Sequence, residues 1–367
     1  MNFCELEKYL NELVDSTGGI DTQIKVFKDN KEIYSFCGGF RDAEHKKTAS
    51  FDDCFYFYSL SKPITCTAAM QLVERGKLDL FAPVSRYLPY FKSAMVKTPD
   101  GVRPAKNDIL VWHLFSMQSG FNYDVNSDAF KSAVARGADT NELLKITVEN
   151  IPFSFDAGEH WQYACRNHDT LGCIIEAVSG LPLREYLKIN IFEPLGMEHI
   201  DFTVDGFLKD NIADLYRSED GKIFNTIPHV KCRGYTENYH SGGQGLIGNI
   251  SSYAPFANAL ANGDTRILKP ETLDLMRQDR LTDGMRSEYR LAPCGYGYGL
   301  GVRTLISKKE GALSPLHEFG WDGAAGAYTL MDTENRIALV FLTHCLAGNM
   351  KLDQFKIRDL TYKAIFE

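Results

Sequence analysis

The spacing of apolar and polar positions divides the chain into an outer pair of strand-rich ends and a helical middle. Residues 3–14 predict an amphipathic helix. Residues 23–27 and 32–36 alternate as strands around the turn Lys28-Asp29-Asn30-Lys31, a hairpin. From Ser59 to about Ile200 the pattern is mostly helical and interrupted by Pro and Gly, with helices predicted over 65–76, 109–117, 141–147 and 170–178. Strands then return. Residues 298–303 predict one strand, and 325–331 and 336–343 flank the turn Asp332-Thr333-Glu334-Asn335 as a second hairpin. Residues 352–366 predict a closing helix. Strands at both ends of the chain imply one antiparallel sheet built from both termini, with helices segregated from it, an α+β architecture. The expected division is a discontinuous sheet domain, 1–50 with 215–367, and an inserted, mostly helical domain, 51–214. No internal repeat, low-complexity tract or long linker interrupts this plan.

Composition narrows the function classes. The 367 residues suffice for a large core, 44% hydrophobic and 24% charged content is ordinary for a globular protein, and the net charge of −8 comes without a basic block. Nucleic acid and anionic membranes are therefore not expected partners. No apolar run approaches the roughly 20 residues of a membrane span, and the first ten residues lack the basic and apolar regions of a signal peptide. The nine cysteines (Cys4, Cys37, Cys54, Cys66, Cys165, Cys173, Cys232, Cys294 and Cys345) include no Cys-x-x-Cys pair and read as reduced thiols, mostly small core residues. A cytoplasmic location is expected.

Three constellations carry chemistry. The first is Ser59-Leu60-Ser61-Lys62, after the aromatic run 55–58 and at the head of a helix. Serine and lysine three apart share one helix face, and the helix N-terminus adds free N–H donors beside the hydroxyl. A lysine amine within reach of a serine can activate it without histidine. The motif alone is weak, because a capping serine followed by a solvated lysine has the same spelling. The second is Tyr163, in Gly158-Glu159-His160-Trp161-Gln162-Tyr163-Ala164-Cys165, on a loop ahead of an apolar helix. A nearby ammonium would favour its phenolate and make it a base; packing with a bonded hydroxyl is the plainer alternative. The third is Trp321-Asp322-Gly323-Ala324-Ala325-Gly326, small residues at the entry to a strand, where a substrate could approach the backbone and a strand N–H could face an oxyanion.

In this order, Ser-x-x-Lys, Tyr and a Gly-containing triplet before a C-terminal strand, the chain resembles the serine β-lactamase and penicillin-binding superfamily. More narrowly it resembles the class C β-lactamase-like branch, and its Trp-x-Gly triplet is similar to that of family VIII carboxylesterases. Residues 112–120, Ser241-Gly242-Gly243-Gln244-Gly245-Leu246 with Tyr253-Ala254-Pro255-Phe256 after it, and the glycine-rich run 295–301 extend the likeness over nearly the whole chain from Gln23. The resemblance implies Ser59 as nucleophile, Lys62 and Tyr163 sharing proton transfer, and the N–H groups of Ser59 and Ala324 as oxyanion hole. It implies Trp321, Gly323, Cys165, Phe121 and Tyr123 as substrate-binding residues, and no metal or cofactor.

Two departures from the family pattern matter. Where many members have Tyr-x-Asn, Cys165 replaces the asparagine whose amide helps hold the lysine and the substrate; its S–H is a weak donor. Where lactamases and peptidases carry Lys-Thr-Gly or His-x-Gly, Trp321 removes the cation that would pair with a substrate carboxylate. Both favour small neutral esters over anionic lactams. The expected partner is thus a small-molecule ester or amide. The rival activities are β-lactamase, D,D-peptidase or D-aminopeptidase, and the rival of another class is a penicillin-binding or sensor module that acylates without turnover. A Gly-x-Ser-x-Gly elbow, a phosphate loop and a His-Glu-x-x-His zinc helix are missing from the sequence, and His113, His160, His168, His240 and His317 lack metal spacing. The aromatic residues Phe121, Tyr123, Tyr235 and Tyr239 fit an acyl pocket or the core equally well.

Overall fold

The computed structural model describes residues 1–219, 222–225, 235–346 and 352–367; Cys232 lies outside them. Seven antiparallel strands form the central sheet: β1 (Thr22–Lys28), β2 (Lys31–Gly38), β3 (Tyr296–Tyr298), β4 (Arg303–Leu305), β5 (Phe319–Gly320), β6 (Tyr328–Asp332) and β7 (Ile337–Thr343). Their spatial order is β3-β4-β5-β6-β7-β1-β2. The N-terminal hairpin therefore adds directly to the C-terminal one, through a register that sets Thr22 opposite Thr343 and Lys28 opposite Ile337. This is the sheet from both termini that the strand pattern predicts.

The strand β7, apolar from Ile337 to Leu342, is explained by cover on both faces. Ile337, Leu339 and Phe341 point to one side, where they meet Leu6, Leu10 and Leu13 of α1 (Cys4–Ser16), together with Ile357 and Tyr362 of the closing helix Gln354–Phe366. Ala338, Val340 and Leu342 point to the other, into the larger core with Tyr253 and Phe256 of the helix Ile250–Ala261. A period of two delivers alternate side chains to opposite faces, so a strand buried on both sides reads as a continuous hydrophobic run.

One expected strand is two. The run 298–303 reverses direction: Gly299 N–H bonds to Val302 O at 2.8 Å, and Gly301 sits at φ +83°. Glycine adopts that left-handed conformation at little cost, so aromatic and β-branched neighbours on both sides become a hairpin of β3 and β4. The turn also comes close to a neighbouring helix, since a Cβ at Gly301 would lie 2.2 Å from Cys66 Sγ.

Candidate active site

A short strand, Cys54–Tyr56, pairs with Ile247–Asn249 and delivers the chain to the nucleophile turn. Tyr58 takes φ +48°, a left-handed conformation that costs a residue with a large side chain on the order of 1–3 kcal/mol. One 3-10 turn, Tyr58–Leu60, follows and runs into α2 (Ser61–Glu74), which is buried from Ser61 to Leu72. The turn is tied from two sides: Tyr253 Oη donates to Leu60 O at 2.9 Å, and Ser61 Oγ accepts from Leu246 N–H at 3.0 Å. Ser59 thus stands at the head of a helix whose first turn is bonded to two neighbouring segments.

Lys62 is fully buried, and its Nζ lies 2.9 Å from Ser59 Oγ. Tyr163 Oη lies 2.6 Å from the same oxygen. The lysine also donates to Gly243 O at 2.7 Å and to Cys165 Sγ at 3.3 Å, and its Nζ stands 4.7 Å over the Tyr163 ring. Ser59, Lys62 and Tyr163, separated by up to 104 residues in sequence, converge on one oxygen.

The Tyr163 loop is positioned by α3 (Arg166–Ser179) behind it and by the 117–120 turn in front. Asn167 Oδ1 accepts from Ser119 Oγ at 2.6 Å, and its Nδ2 donates to Ala164 O at 3.1 Å. Gly120, at φ +87°, has room for no side chain there: a Cβ would meet Phe155 O at 2.3 Å.

Trp321 is 1% exposed, and its ring stacks on Tyr163 at 5.9 Å and 25°. Its Nε1 lies 3.4 Å from Tyr163 Oη, so the indole N–H is spent on the phenol oxygen. Asp322 is tied to Arg290 at 2.5 Å. Gly323 presses the strand entry onto the nucleophile turn, since a Cβ there would lie 2.5 Å from Phe57 O. Ala324 follows as an exposed residue, and among the described residues neither its N–H nor that of Ser59 donates within the protein.

The remaining sequence candidates divide. Cys165 is at the site, and its sulfur has Gln244 Oε1 and Tyr123 Oη each at 3.5 Å. Tyr123 is exposed at the rim. Phe121 is a correction: it is buried against Phe153 and Phe91, with ring centroids 4.6 and 6.0 Å away, so its ring belongs to the core. Tyr239 is buried with its hydroxyl on Asp169 at 2.7 Å, and Tyr235 packs edge-on against Phe130 and Tyr239. Gly243 and Gln244 lie in a run recognisable from sequence, but their contacts, like the place of Asp169, do not show there. A carbonyl 181 positions from the lysine leaves no signal in residue types.

Burial by itself disfavours the Lys62 ammonium, but Cys165 and Tyr163 beside it outweigh this and hold the amine above its ordinary range. Burial pushes the Tyr163 phenol up, with Lys62 pulling the other way. Behind the lysine, His168 is fully enclosed and held well below its ordinary value by burial and then by Lys62, so it is a neutral imidazole.

Comparison with known proteins bears on this geometry. The Beta-lactamase family model matches residues 6–360. Esterase EstB of Burkholderia gladioli is 27% identical over 364 residues, covering 92% of this chain and 89% of its own. Lovastatin esterase of Penicillium rubens is 28% identical over 302 residues, covering 76% and 74%. In fold, the chain is similar to EstCE1, described as a hydrolase with promiscuous acyltransferase activity, at a TM-score of 0.81 with 23% identity over 99% of this chain and 97% of that one. Simvastatin synthase LovD from Aspergillus terreus superposes at 0.79 with 22% identity, over 99% and 96%. The sheet, the helices around it and the family match over nearly the whole chain agree: the protein has the β-lactamase fold and belongs to the Beta-lactamase family.

Proposed function

We propose that the protein is a serine hydrolase that cleaves small neutral carboxylic esters through an acyl-enzyme on Ser59. The observation that carries this reading is the convergence of Lys62 Nζ at 2.9 Å and Tyr163 Oη at 2.6 Å on Ser59 Oγ. Two proton-transfer groups within hydrogen-bond reach of one hydroxyl are the arrangement nucleophilic catalysis needs. The esterases among the relatives support the substrate class.

The reactive form of the site has one proton fewer than ammonium plus phenol. Whether the vacancy lies on Lys62 or Tyr163, one atom of the pair can take the Ser59 proton, and the two titrate together. Ser59 Oγ attacks the acyl carbonyl, and its oxygen turns toward the N–H groups of Ser59 and Ala324. Collapse expels the alcohol, which takes the proton back from the pair. A water then repeats the sequence on the acyl-enzyme: its proton goes to the pair, the carboxylic acid leaves, and Ser59 recovers its hydrogen. The indole N–H of Trp321 stabilises negative charge on Tyr163. Both titrating groups lie above their ordinary values, so the base-competent form grows as pH rises. Activity is therefore expected to climb from about pH 7 toward about pH 9.

By the family resemblance, Trp321 and Cys165 replace the groups that would partner a lactam's carboxylate and acylamide, which favours neutral substrates. All eight described cysteines are free, which supports a reducing, cytoplasmic compartment. Among the described residues no helix is long and apolar enough to cross a membrane.

The test is a panel of p-nitrophenyl esters of rising chain length with wild type and Ser59→Ala. Continuous turnover that disappears in the variant, with a fluorophosphonate adduct on the peptide carrying Ser59, is the expected result. One equivalent of nitrophenol followed by silence would identify a binder instead. Residual turnover in Ser59→Ala, or an adduct elsewhere, would remove Ser59 from the mechanism.

A further inference from the structure

Asp169 is a buried carboxylate that the reaction above does not use. It lies on α3, one turn beyond Cys165, and is 2% exposed. Its Oδ1 accepts from Ser241 Oγ at 2.5 Å and from Gly243 N–H at 3.0 Å, and its Oδ2 accepts from Tyr239 Oη at 2.7 Å. Ser241 Oγ accepts in turn from Gln244 N–H at 3.1 Å, which leaves the serine proton for the carboxylate. Three donors on two oxygens favour the ionised form, against burial, which pushes the carboxyl up.

The far side of the same turn holds the lysine. Gly243 gives its N–H to Asp169 and its carbonyl to Lys62 Nζ at 2.7 Å, so two adjacent peptide planes are pinned from opposite directions. The turn is pressed flat on α3: a Cβ at Gly242 would lie 2.5 Å from His168 O, and one at Gly243 would lie 2.6 Å from Cys165 O. Gly243 has no side chain to pack: Asp169 holds the peptide before it, and Ser241 Oγ, itself bonded to Asp169, takes the Gln244 N–H of the peptide that carries its carbonyl.

We propose that Asp169 is a positioning residue for Lys62: its carboxylate locks the Ser241–Gln244 turn so that the Gly243 carbonyl holds the lysine on Ser59. This rests on the reading of Ser59 and Lys62 given above. A fixed charge so close also biases proton transfer. Lys62 faces Cys66 on its own helix, Tyr163 and Cys165 on the preceding loop, and His168 and Asp169 on α3. Asp169 in turn faces Cys173 on its own helix, and Tyr235 and Tyr239, which also meet Arg166. Asp169 is the carboxylate of this set and Lys62 the amine. Removing the carboxylate makes the ammonium easier to deprotonate and the phenolate easier to form, so the acid limb of the pH–rate profile moves down whichever of Lys62 and Tyr163 is the base.

The experiment compares the full chain as wild type, Asp169→Asn and Ser241→Ala. It follows p-nitrophenyl butyrate hydrolysis across pH, and fluorophosphonate labelling of Ser59 by mass spectrometry. Asp169→Asn is expected to lower kcat about tenfold or more with KM within about threefold, and to move the acid limb down by about one pH unit. Ser241→Ala keeps the charge but loosens the turn, and is expected to lower kcat with the limb unmoved. A folded Asp169→Asn protein with kcat within twofold of wild type and an unmoved limb overturns the proposal. If that variant does not fold, a Ser241→Ala protein with wild-type kcat overturns it. Wild type that leaves Ser59 unlabelled and every ester intact would bring down the proposed function and this inference together; labelled Ser59 with an indifferent Asp169→Asn would sink this inference alone.

Discussion

The indole Nε1 of Trp321 lies 3.4 Å from the phenol oxygen of Tyr163, with the two rings stacked at 25°. A neutral donor aimed at that oxygen favours the phenolate. Trp321→Phe keeps the stacking and deletes the donor, so Tyr163 should give up its proton at higher pH. The acid limb of kcat/KM is expected to move up, opposite to the shift for Asp169→Asn, and the rate near neutrality to fall by about tenfold. A pH profile of the variant on p-nitrophenyl butyrate checks both; an unmoved limb would mean that the indole is only a packing element.

Lys62→Ala and Tyr163→Phe are each expected to cost about 10²–10⁴-fold in kcat, as for loss of a positioned acid–base group. Because both act on one oxygen, the double variant should lose far less than the product of the two single losses. Strictly multiplicative losses in single-turnover acylation would show that the two groups serve separate steps.

Gly323→Ala tests the contact between the strand entry and the nucleophile turn. The added methyl would stand 2.5 Å from Phe57 O, a backbone atom with little freedom to move away. The strand entry should be displaced, and with it the Ala324 N–H proposed for the oxyanion hole. Acylation is expected to slow by about 10²-fold. The stability loss should stay at about 1–3 kcal/mol. Denaturant unfolding beside stopped-flow acylation separates the two, and a variant that is less stable but acylates normally would contradict the assignment of Ala324.

Substrate class can be tested directly. The kcat/KM for a short-chain p-nitrophenyl ester is expected to exceed that for any penicillin or cephalosporin, because a buried unpaired carboxylate is costly. Equal efficiency on a chromogenic cephalosporin would refute this, as would cleavage of a D-amino-acid peptide by an enzyme inert to esters. Since Trp321 is enclosed and already bonded to Tyr163, Trp321→Lys should cost ester turnover as well as alter the ratio.

The sheet was legible because its signals are local. The hairpin turns at 28–31 and 332–335 and the strand-forming runs around them stand in the sequence. Ser59, Lys62 and Tyr163 were singled out by the order of motifs that the family resemblance supplies, and the structure brings the three together on one oxygen. What stayed hidden depends on distant backbone. The lysine is held chiefly by a glycine carbonyl, and glycine carbonyls look alike in sequence. The stacking of Trp321 on Tyr163 joins residues 158 positions apart, which residue types do not reveal. The strand expected over 298–303 failed for a related reason: aromatic and β-branched residues predict extension, and only the left-handed Gly301 reveals that the chain doubles back.

The pairing of β1 with β7 joins residues more than 300 positions apart. On a ribosome adding about 5–20 residues per second, the first hairpin emerges on the order of 15–60 s before its neighbour exists. Throughout that interval Gln23, Lys25 and Phe27 sit on a bare sheet edge, open to any other extended chain. This architecture makes the last strand the step that commits the polypeptide, and it predicts that nascent chains halted before Ile337 will need a chaperone to stay out of aggregates.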